Sequence, residues 1–503
     1  MNLFTDPWLS VHVAGRQTFI SLSELLCTDE PYQIALPRDD MEMAALQLAV
    51  CLTQVAFMPD SEAELRERIA RPMSQDEYDQ RIKSLAPWFR LDDPNCPFMQ
   101  TKGVKAAEMT PIQKLLPGLP EGNNHCFFNR PGEIRRLGPP MAAVALFQQA
   151  TATPSFGGGF KFPLRGAAPV VTLVWDASLR RMVWYNVLHR GAVKQILPWY
   201  EAGSEAEIPN WVKPVDKKTH AKDIGLLRGL FWQPARVELV WHEISGDCDL
   251  TGWGNGPICR GFLKEKFTYE IEETWPHPHS PRDIARGFIS FRSQIPSWTQ
   301  CHAFVYKEDM QDAGHIPAAV VAQAGTLLRG QPLHLLIGGY CNNKANVIER
   351  RHEMLSLGAG WNNQEAGRLR NLVAAALDAK AALTGSLKWI KKGQKDKNLQ
   401  GIGSSLAPES EKMFYQETEA YIHRCLRTFT FKESKAFREE LLERVSEICL
   451  QIYDHLTQPY QHQTGMLATI VIGRRQLAYN LHGLSAQAED PKKPKEVKQR
   501  GRK

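Results

Sequence analysis

At about Asn362 the sequence changes texture: Gly and Pro thin out, and apolar residues begin to recur at helical spacing. Leu369, Leu372, Val373, Ala376 and Leu377 make one stripe, and Phe437, Leu441, Val445, Ile448 and Ile452 make another behind Ser434, a residue type suited to an N-cap. With the segments 413–429 and 467–484 they predict four helical segments joined by polar or Gly-bearing connectors, the pattern of a four-helix bundle. A chain of 503 residues is too long for one core, because single cores stop growing beyond roughly 250–300 residues. The expected organisation is therefore an α+β domain over residues 1–360, a C-terminal four-helix bundle over 361–485, and a Lys- and Pro-rich tail over 486–503, disordered for want of apolar periodicity.

The first domain mixes element types. In "LPRDDMEMAALQLAVCLTQVAF", Met43, Leu46 and Val50 share a helical face. Asp39 or Asp40 can accept from the free N–H groups of its first turn, so the pair is a cap on the simpler reading and a catalytic dyad on the sharper one. "APVVTLVWD", "RMVWYNVL" and "ARVELVWHEI" are β-branched and aromatic runs between turn signals, which predicts strands. The longest apolar run, Met141 to Phe147, is far short of the roughly 20 residues of a membrane span. With no signal-like start, the expected location is the cytoplasm. Ten scattered cysteines without a CxxC pair favour neither a disulfide framework nor a zinc ribbon.

Charge is uneven along the chain. Residues 1–100 carry 8 basic and 16 acidic side chains, and residues 101–240 carry 18 basic and 10 acidic, which suggests a polyanion partner for the middle of the chain. Phosphate-loop, HExxH, GxSxG and dinucleotide motifs are missing, which makes an ordinary metabolic enzyme a poor fit. His277 and His279 in "WPHPHSP" could clamp a metal, although the flanking prolines more simply make a rigid turn with imidazoles as hydrogen-bonding partners. "TPSFGGGFKF" is different in kind. Consecutive glycines persist where backbone must approach something closely, and Phe156, Phe160 and Lys161 are stacking and phosphate-binding types. Lys264 and Lys266 fall on one face of a strand, and Lys388, Lys391, Lys392, Lys395 and Lys397 cluster near the end of the first C-terminal helix. Both clusters suit phosphate contacts that do not read sequence, and both suit a solvated face.

"LPRDDME", "PFMQTKGVKA", "FGGGFK", "RGLFWQPA", "GFLKEKFT", "WPHPHSP", "PSWTQ" and "ERRHE" resemble, in order and nearly in spacing, the CasA family, the large subunit of the type I-E CRISPR Cascade complex. The resemblance implies a crRNA-guided surveillance complex whose large subunit recognises the protospacer-adjacent motif (PAM) in double-stranded DNA. It also implies help with unwinding and R-loop formation, guidance of the displaced strand, and recruitment of a helicase-nuclease in antiviral defence. Carried over residue by residue, the family's glycine loop resembles Gly157, Gly158 and Gly159 with Lys161 beside it, its minor-groove lysine finger resembles Lys266, and its strand-splitting wedge resembles the tip of "GGYCNNKAN", with Asn343 and Lys344. The loop toward crRNA and neighbouring subunits resembles residues 127–138, with Phe127 and Asn129 at family positions. By family architecture, Lys388, Lys391, Lys392, Lys395 and Lys397 would face displaced single strand.

Two departures stand out: Lys344 replaces the Gln of the family wedge, and only Cys248 and Cys259 fall where some relatives have paired cysteines suited to zinc. The expectation is no metal, no cofactor, no catalytic residue and no membrane partner. Rival readings are a stand-alone enzyme acting on a nucleotide or phosphate, with the glycine loop as cradle and His277 or His279 as acid or base, and a purely structural scaffold subunit.

Overall fold

The computed structural model describes residues 1–119, 132–252, 254, 256–310, 313–362, 366–392, 405–429 and 434–486. The chain forms two compact units: Met1–Ser293 with Ala303–Arg329 and Leu333–Leu355, and Gln294–His302 with Gly330–Pro332 and Ser356–Lys503. The first is mixed α+β, and the second carries the C-terminal helices. The expected tail, apart from Ala486 at the end of the last helix, lies outside the described residues.

Two helices form the centre of the first unit. Asp39–Phe57 has 15 of its 19 residues buried and Pro139–Thr151 has 12 of 13, so neither is amphipathic; they pack on each other as all-round core helices. A three-stranded sheet, in the order Asn346–Leu357, Leu333–Asn343, Val171–Val174, lies beside them, with antiparallel register Leu335↔Val174 and Ile337↔Thr172. A second antiparallel pair, Ala235–Gly246 with Gly256–Lys266, is extended by a short strand at Thr110–Pro111.

Two local expectations are corrected. "RMVWYNVL" is not a strand: its first five residues end the helix Leu179–Tyr185. Ser178 caps that helix by accepting from the Arg181 N–H, and Leu179, Met182 and Val183 are buried at helical spacing. Asn186 then holds the helix end to the sheet, donating to the Val174 and Met182 carbonyls at 2.7 and 2.8 Å and accepting from the Val174 N–H at 2.7 Å. Tertiary hydrogen bonding outweighs the β-propensity of Val183, Trp184 and Tyr185.

The second correction concerns the aspartate pair. Neither aspartate is the N-cap: Arg38 holds that position with no side-chain cap hydrogen bond, and Asp39, the first helical residue, accepts only from the adjacent Asp40 N–H at 3.0 Å. Asp40 instead turns into the core, where Arg38 grips both carboxylate oxygens at 2.9 and 2.7 Å and the Tyr340 hydroxyl donates at 2.9 Å. Gln148 in turn donates to Tyr340, and Arg350 pairs with Asp39 at 2.6 Å while reaching Asp40 at 3.9 Å. Burial alone would raise the Asp40 pKa, but the Arg38 fork, with Arg350 and Tyr340, holds it below the ordinary carboxylate value. A carboxylate committed in this way is a structural ion pair, not half of a catalytic dyad.

In the second unit, Ala366–Lys392 packs on each of Leu406–Thr428, Ser434–Thr457 and Met466–Ala486, and Ser434–Thr457 also packs on the helices before and after it. Leu369, Leu372, Val373 and Ala376 of the first predicted stripe are buried, as are Leu441, Val445, Ile448 and Ile452 of the second. Gly473 permits one close helix approach: a Cβ there would sit 2.3 Å from the Tyr453 hydroxyl, which donates to the Ile470 carbonyl at 2.9 Å.

Asp40→Ala strands the Arg38 guanidinium and the Tyr340 hydroxyl in the core, and its expected cost is about 3–5 kcal/mol in urea denaturation at neutral pH. Because the folded pKa of Asp40 is depressed, its contribution is complete above the ordinary value of 3.8 and is lost as pH falls through the folded one. Wild-type stability should therefore lose an acid-sensitive component below that point that Asp40→Asn lacks. Identical pH profiles would remove Asp40 from this role.

Candidate nucleic-acid interface

The strand Gly256–Lys266 runs antiparallel to Ala235–Gly246 with register Leu239↔Phe262, Val237↔Lys264 and Ala235↔Lys266. Alternation along a strand puts Phe262, Lys264 and Lys266 on one face. The glycine loop folds onto that face. Phe156 lies 5.5 Å, centroid to centroid, from both Phe160 and Phe262. The Lys264 ammonium sits 5.4 Å from the Phe156 ring and 5.8 Å from Phe262, and the Lys266 ammonium sits 6.0 Å from Phe160. Further along, Lys161 lies 5.9 Å over Tyr269, and Arg236 lies 5.5 Å over Phe267. Cations held over ring faces keep their charge while their stems cover apolar surface.

The glycines are required by conformation. Gly157, Gly158 and Gly159 have φ of +79°, +55° and +89°, and a turn closes when the Phe160 N–H donates to the Gly157 carbonyl at 3.0 Å. A Cβ on Gly159 would lie 3.4 Å from the Lys266 ammonium, and one on Gly157 would lie 3.4 Å from the Ala345 Cβ. Among the described residues, none beyond its two chain neighbours lies within 4 Å of a Cβ at Gly158, which is exposed. Ala345 belongs to the turn between strands Leu333–Asn343 and Asn346–Leu357. Lys344 in that turn adopts φ +55°, a left-handed conformation uncommon for a long side chain, and its carbonyl accepts from Asn342 Nδ2 at 2.6 Å. Asn343 and Lys344 are exposed.

Three segments far apart in sequence thus meet: the loop 157–159, the strand end at Lys266 and the hairpin turn at Lys344 and Ala345. Lys161 lies over Tyr269, just past the end of that strand. Lys388 is exposed on Ala366–Lys392 in the other unit, and Lys391 and Lys392 end that helix. Phe127, Asn129, Lys395 and Lys397 lie outside the described residues. Residues beyond the sequence reading are Phe262, whose signal is the Phe-x-Lys-x-Lys alternation, and Ala345, Phe267, Tyr269 and Arg236, for which no local motif exists.

His277 and His279 are buried, with ring centroids 5.2 Å apart. His277 Nδ1 accepts from the His279 N–H at 3.1 Å, and His279 Nδ1 lies 3.1 Å from the Gln47 amide nitrogen. Burial first and the Arg165 charge second depress both pKa values, that of His279 to about 3, so both rings are neutral at physiological pH. Neither is placed to exchange protons with a surface substrate. Cys248 and Cys259 are buried thiols, and burial pushes the Cys259 pKa up to about 12. Among the described residues no three His, Cys, Asp or Glu gather at metal-ligand distance, and no helix is long and apolar enough to cross a membrane.

Residues 2–452 match the family model of CRISPR-associated protein Cse1. Among solved structures, CasA (Cse1) of Thermus thermophilus superposes with a TM-score of 0.73 at 17% identity, over 96% of this chain and 99% of that one. Cse1 of Thermobifida fusca gives 0.75 at 15% identity, over 97% and 98%. A chain of a CRISPR RNA-guided surveillance complex gives 0.65 at 15% identity, over 95% and 99%.

The buried imidazoles carry a pH signature of their own. Their folded pKa values are depressed, so the stability they permit is complete above the ordinary value of 6.5 and declines as pH falls below it, by up to roughly 1.4 kcal/mol per pH unit for each ring. Denaturant titrations between pH 6.5 and 5.5 should show this slope in the wild type and a flatter one in His279→Gln; equal slopes would refute it.

Proposed function

The chain belongs to the CRISPR-associated protein Cse1 family, and we propose that it acts as the large subunit of a type I-E, crRNA-guided Cascade surveillance complex that reads the PAM of double-stranded DNA from the minor-groove side. The observation that carries this reading is the convergence of Gly157–Gly159, Lys266 and the Lys344 turn on one exposed face. A side-chain-free loop lets backbone approach the floor of a narrow groove, and a lysine can donate to the acceptors that A·T and T·A pairs share there. Such readout is degenerate, so it tolerates several PAM sequences and leaves specificity to base pairing with the guide.

The Lys344 turn then acts as the wedge. It stands against the glycine loop through the approach of Ala345 to Gly157, so a duplex docked on the loop has its first base pair beside the turn. Unstacking a step costs a few kcal/mol whatever its sequence. A lysine stem serves as blade as well as Gln does, and its ammonium can follow a phosphate as the strands part. In the same reading Phe127 and Asn129 reach toward crRNA and neighbouring subunits, and Lys388, Lys391, Lys392, Lys395 and Lys397 on and after the first helix of a four-helix bundle hold the displaced strand. The subunit is cytoplasmic, performs no catalysis itself, and recruits a helicase-nuclease once the R-loop has formed.

Lys266→Ala should leave assembly intact while weakening PAM-duplex binding, and should lower the slope of log affinity against log salt by about one contact. Unchanged affinity across a salt titration would take Lys266 out of the site. For the wedge, Lys344→Gln should retain most R-loop formation with a shallower salt dependence, whereas Lys344→Gly should slow opening more than it weakens PAM binding. Equal opening by the glycine variant and the wild type on linear duplex would show that this turn is not a wedge.

A further inference from the structure

The carboxylate next to Lys266 in sequence is not its partner. Alternation along the strand Gly256–Lys266 turns Glu265 to the opposite face, where it pairs with Arg236 at 3.2 Å and accepts from the Lys105 N–H at 3.3 Å. Among the described residues no acid pairs with Lys266, and what meets its side chain is the glycine loop. The ammonium stands 6.0 Å from the centroid of the Phe160 ring. Its nitrogen and the carbon before it also lie 3.4 and 3.8 Å from where a Cβ on Gly159 would be.

Phe160 is itself braced. Its ring meets Phe156 edge to face, with 5.5 Å between centroids and 79° between planes, and Phe156 lies tilted on the buried ring of Phe262 at 5.5 Å and 36°. Lys264 places a cation over both Phe156 and Phe262, at 5.4 and 5.8 Å. Phe262 and Lys266 belong to one strand, so the contacts run from that strand through two loop rings and back to the tip of a lysine further along it. The choice of a ring as the holding group has a chemical consequence. A carboxylate would occupy the N–H donors of the lysine and compete with any DNA acceptor, whereas a ring face attracts the ammonium without neutralising it and leaves its donors available. Without such a hold, a lysine on its flexible four-carbon stem has no fixed position to offer.

The Phe160 side chain is separable from the backbone of the loop. The turn is closed by the Phe160 N–H, and the left-handed conformations belong to the three glycines, so another apolar side chain at this position leaves both in place. We propose that Phe160 is the positioning residue of Lys266: its ring, braced on the strand through Phe156, sets where the ammonium stands before a duplex arrives. The consequence for DNA binding rests on the duplex reading above; the hold of the ring on the ammonium does not.

The test uses the full-length chain and a fluorescein-labelled A·T-rich duplex, titrated by anisotropy. Phe160→Leu keeps an apolar side chain but removes the ring, and should weaken binding about threefold, the scale of a solvent-exposed cation–π contact. Phe160→Tyr keeps the ring face and should restore wild-type affinity. In a Lys266→Met background, which retains the stem and loses the charge, Phe160→Leu should have no further effect. If Phe160→Leu does not fold, Phe160→Met takes its place. A second readout needs no DNA. Lysines dimethylated with 13C-formaldehyde keep their charge, and the Lys266 resonance, assigned by its loss in Lys266→Arg, should be shifted upfield by the ring in the wild type and in Phe160→Tyr. It should return to the position of solvated lysines in Phe160→Leu. A loss of affinity from Phe160→Leu that is equal in both backgrounds, or absent from both while Lys266→Met weakens binding, overturns the proposal, as does a Lys266 resonance that Phe160→Leu leaves in place. A Lys266→Met variant that binds the duplex as the wild type does, with the resonance still moved by Phe160→Leu, supports the positioning and removes the duplex reading instead.

Discussion

A negative charge held inside the first unit ties the hairpin that carries Lys344 to the core helix. The Asp40 carboxylate sits at the start of the core helix Asp39–Phe57, and one strand of the Lys344 hairpin reaches it through Tyr340 while the other reaches it through Arg350. Arg38 neutralises the charge and supplies the fork that makes its burial tolerable. The hairpin is thereby pinned to the core helix at both strands, and its turn is held where Ala345 meets Gly157.

How much of this could be read in the sequence depends on how local each cause is. Gly157–Gly159 and the Lys264–Lys266 alternation announce themselves within ten residues, because a glycine run and a period of two are properties of the segment alone. Tyr340 lies 300 residues from Asp40, so the sequence shows two acids at a helix start and nothing of the partner that draws one of them inward. "RMVWYNVL" misleads for a related reason: its composition favours a strand, but Asn186 ties it to Val174 as a helix end.

The glycine-loop face combines permissive and rigid parts. Among the described residues no side chain meets the loop tip at Gly158, while the Lys264 and Lys266 ammonium groups lie over Phe156, Phe160 and Phe262, with Phe156 packed on both other rings. Positioning a charge over a ring removes some of the rotamer freedom that a lysine otherwise surrenders on binding. Lys344 contributes differently, through backbone: a left-handed conformation at a non-glycine residue costs of order 1–3 kcal/mol and persists only where the surrounding hairpin imposes it.

The pairing of Val171–Val174 with Leu333–Asn343 also sets a timetable for biosynthesis. Val174 waits for Leu335, roughly 160 residues later, and at about 5–20 residues per second of translation the interval is on the order of 8–32 s. Throughout it the nascent chain carries a strand destined for complete burial with an unfilled edge, a template for pairing with the wrong chain. Closing so long a loop is slow in itself. A chain built this way depends on whatever shields that edge at the ribosome, and its yield in a foreign host should follow translation speed between these two strands more closely than the final stability of the fold.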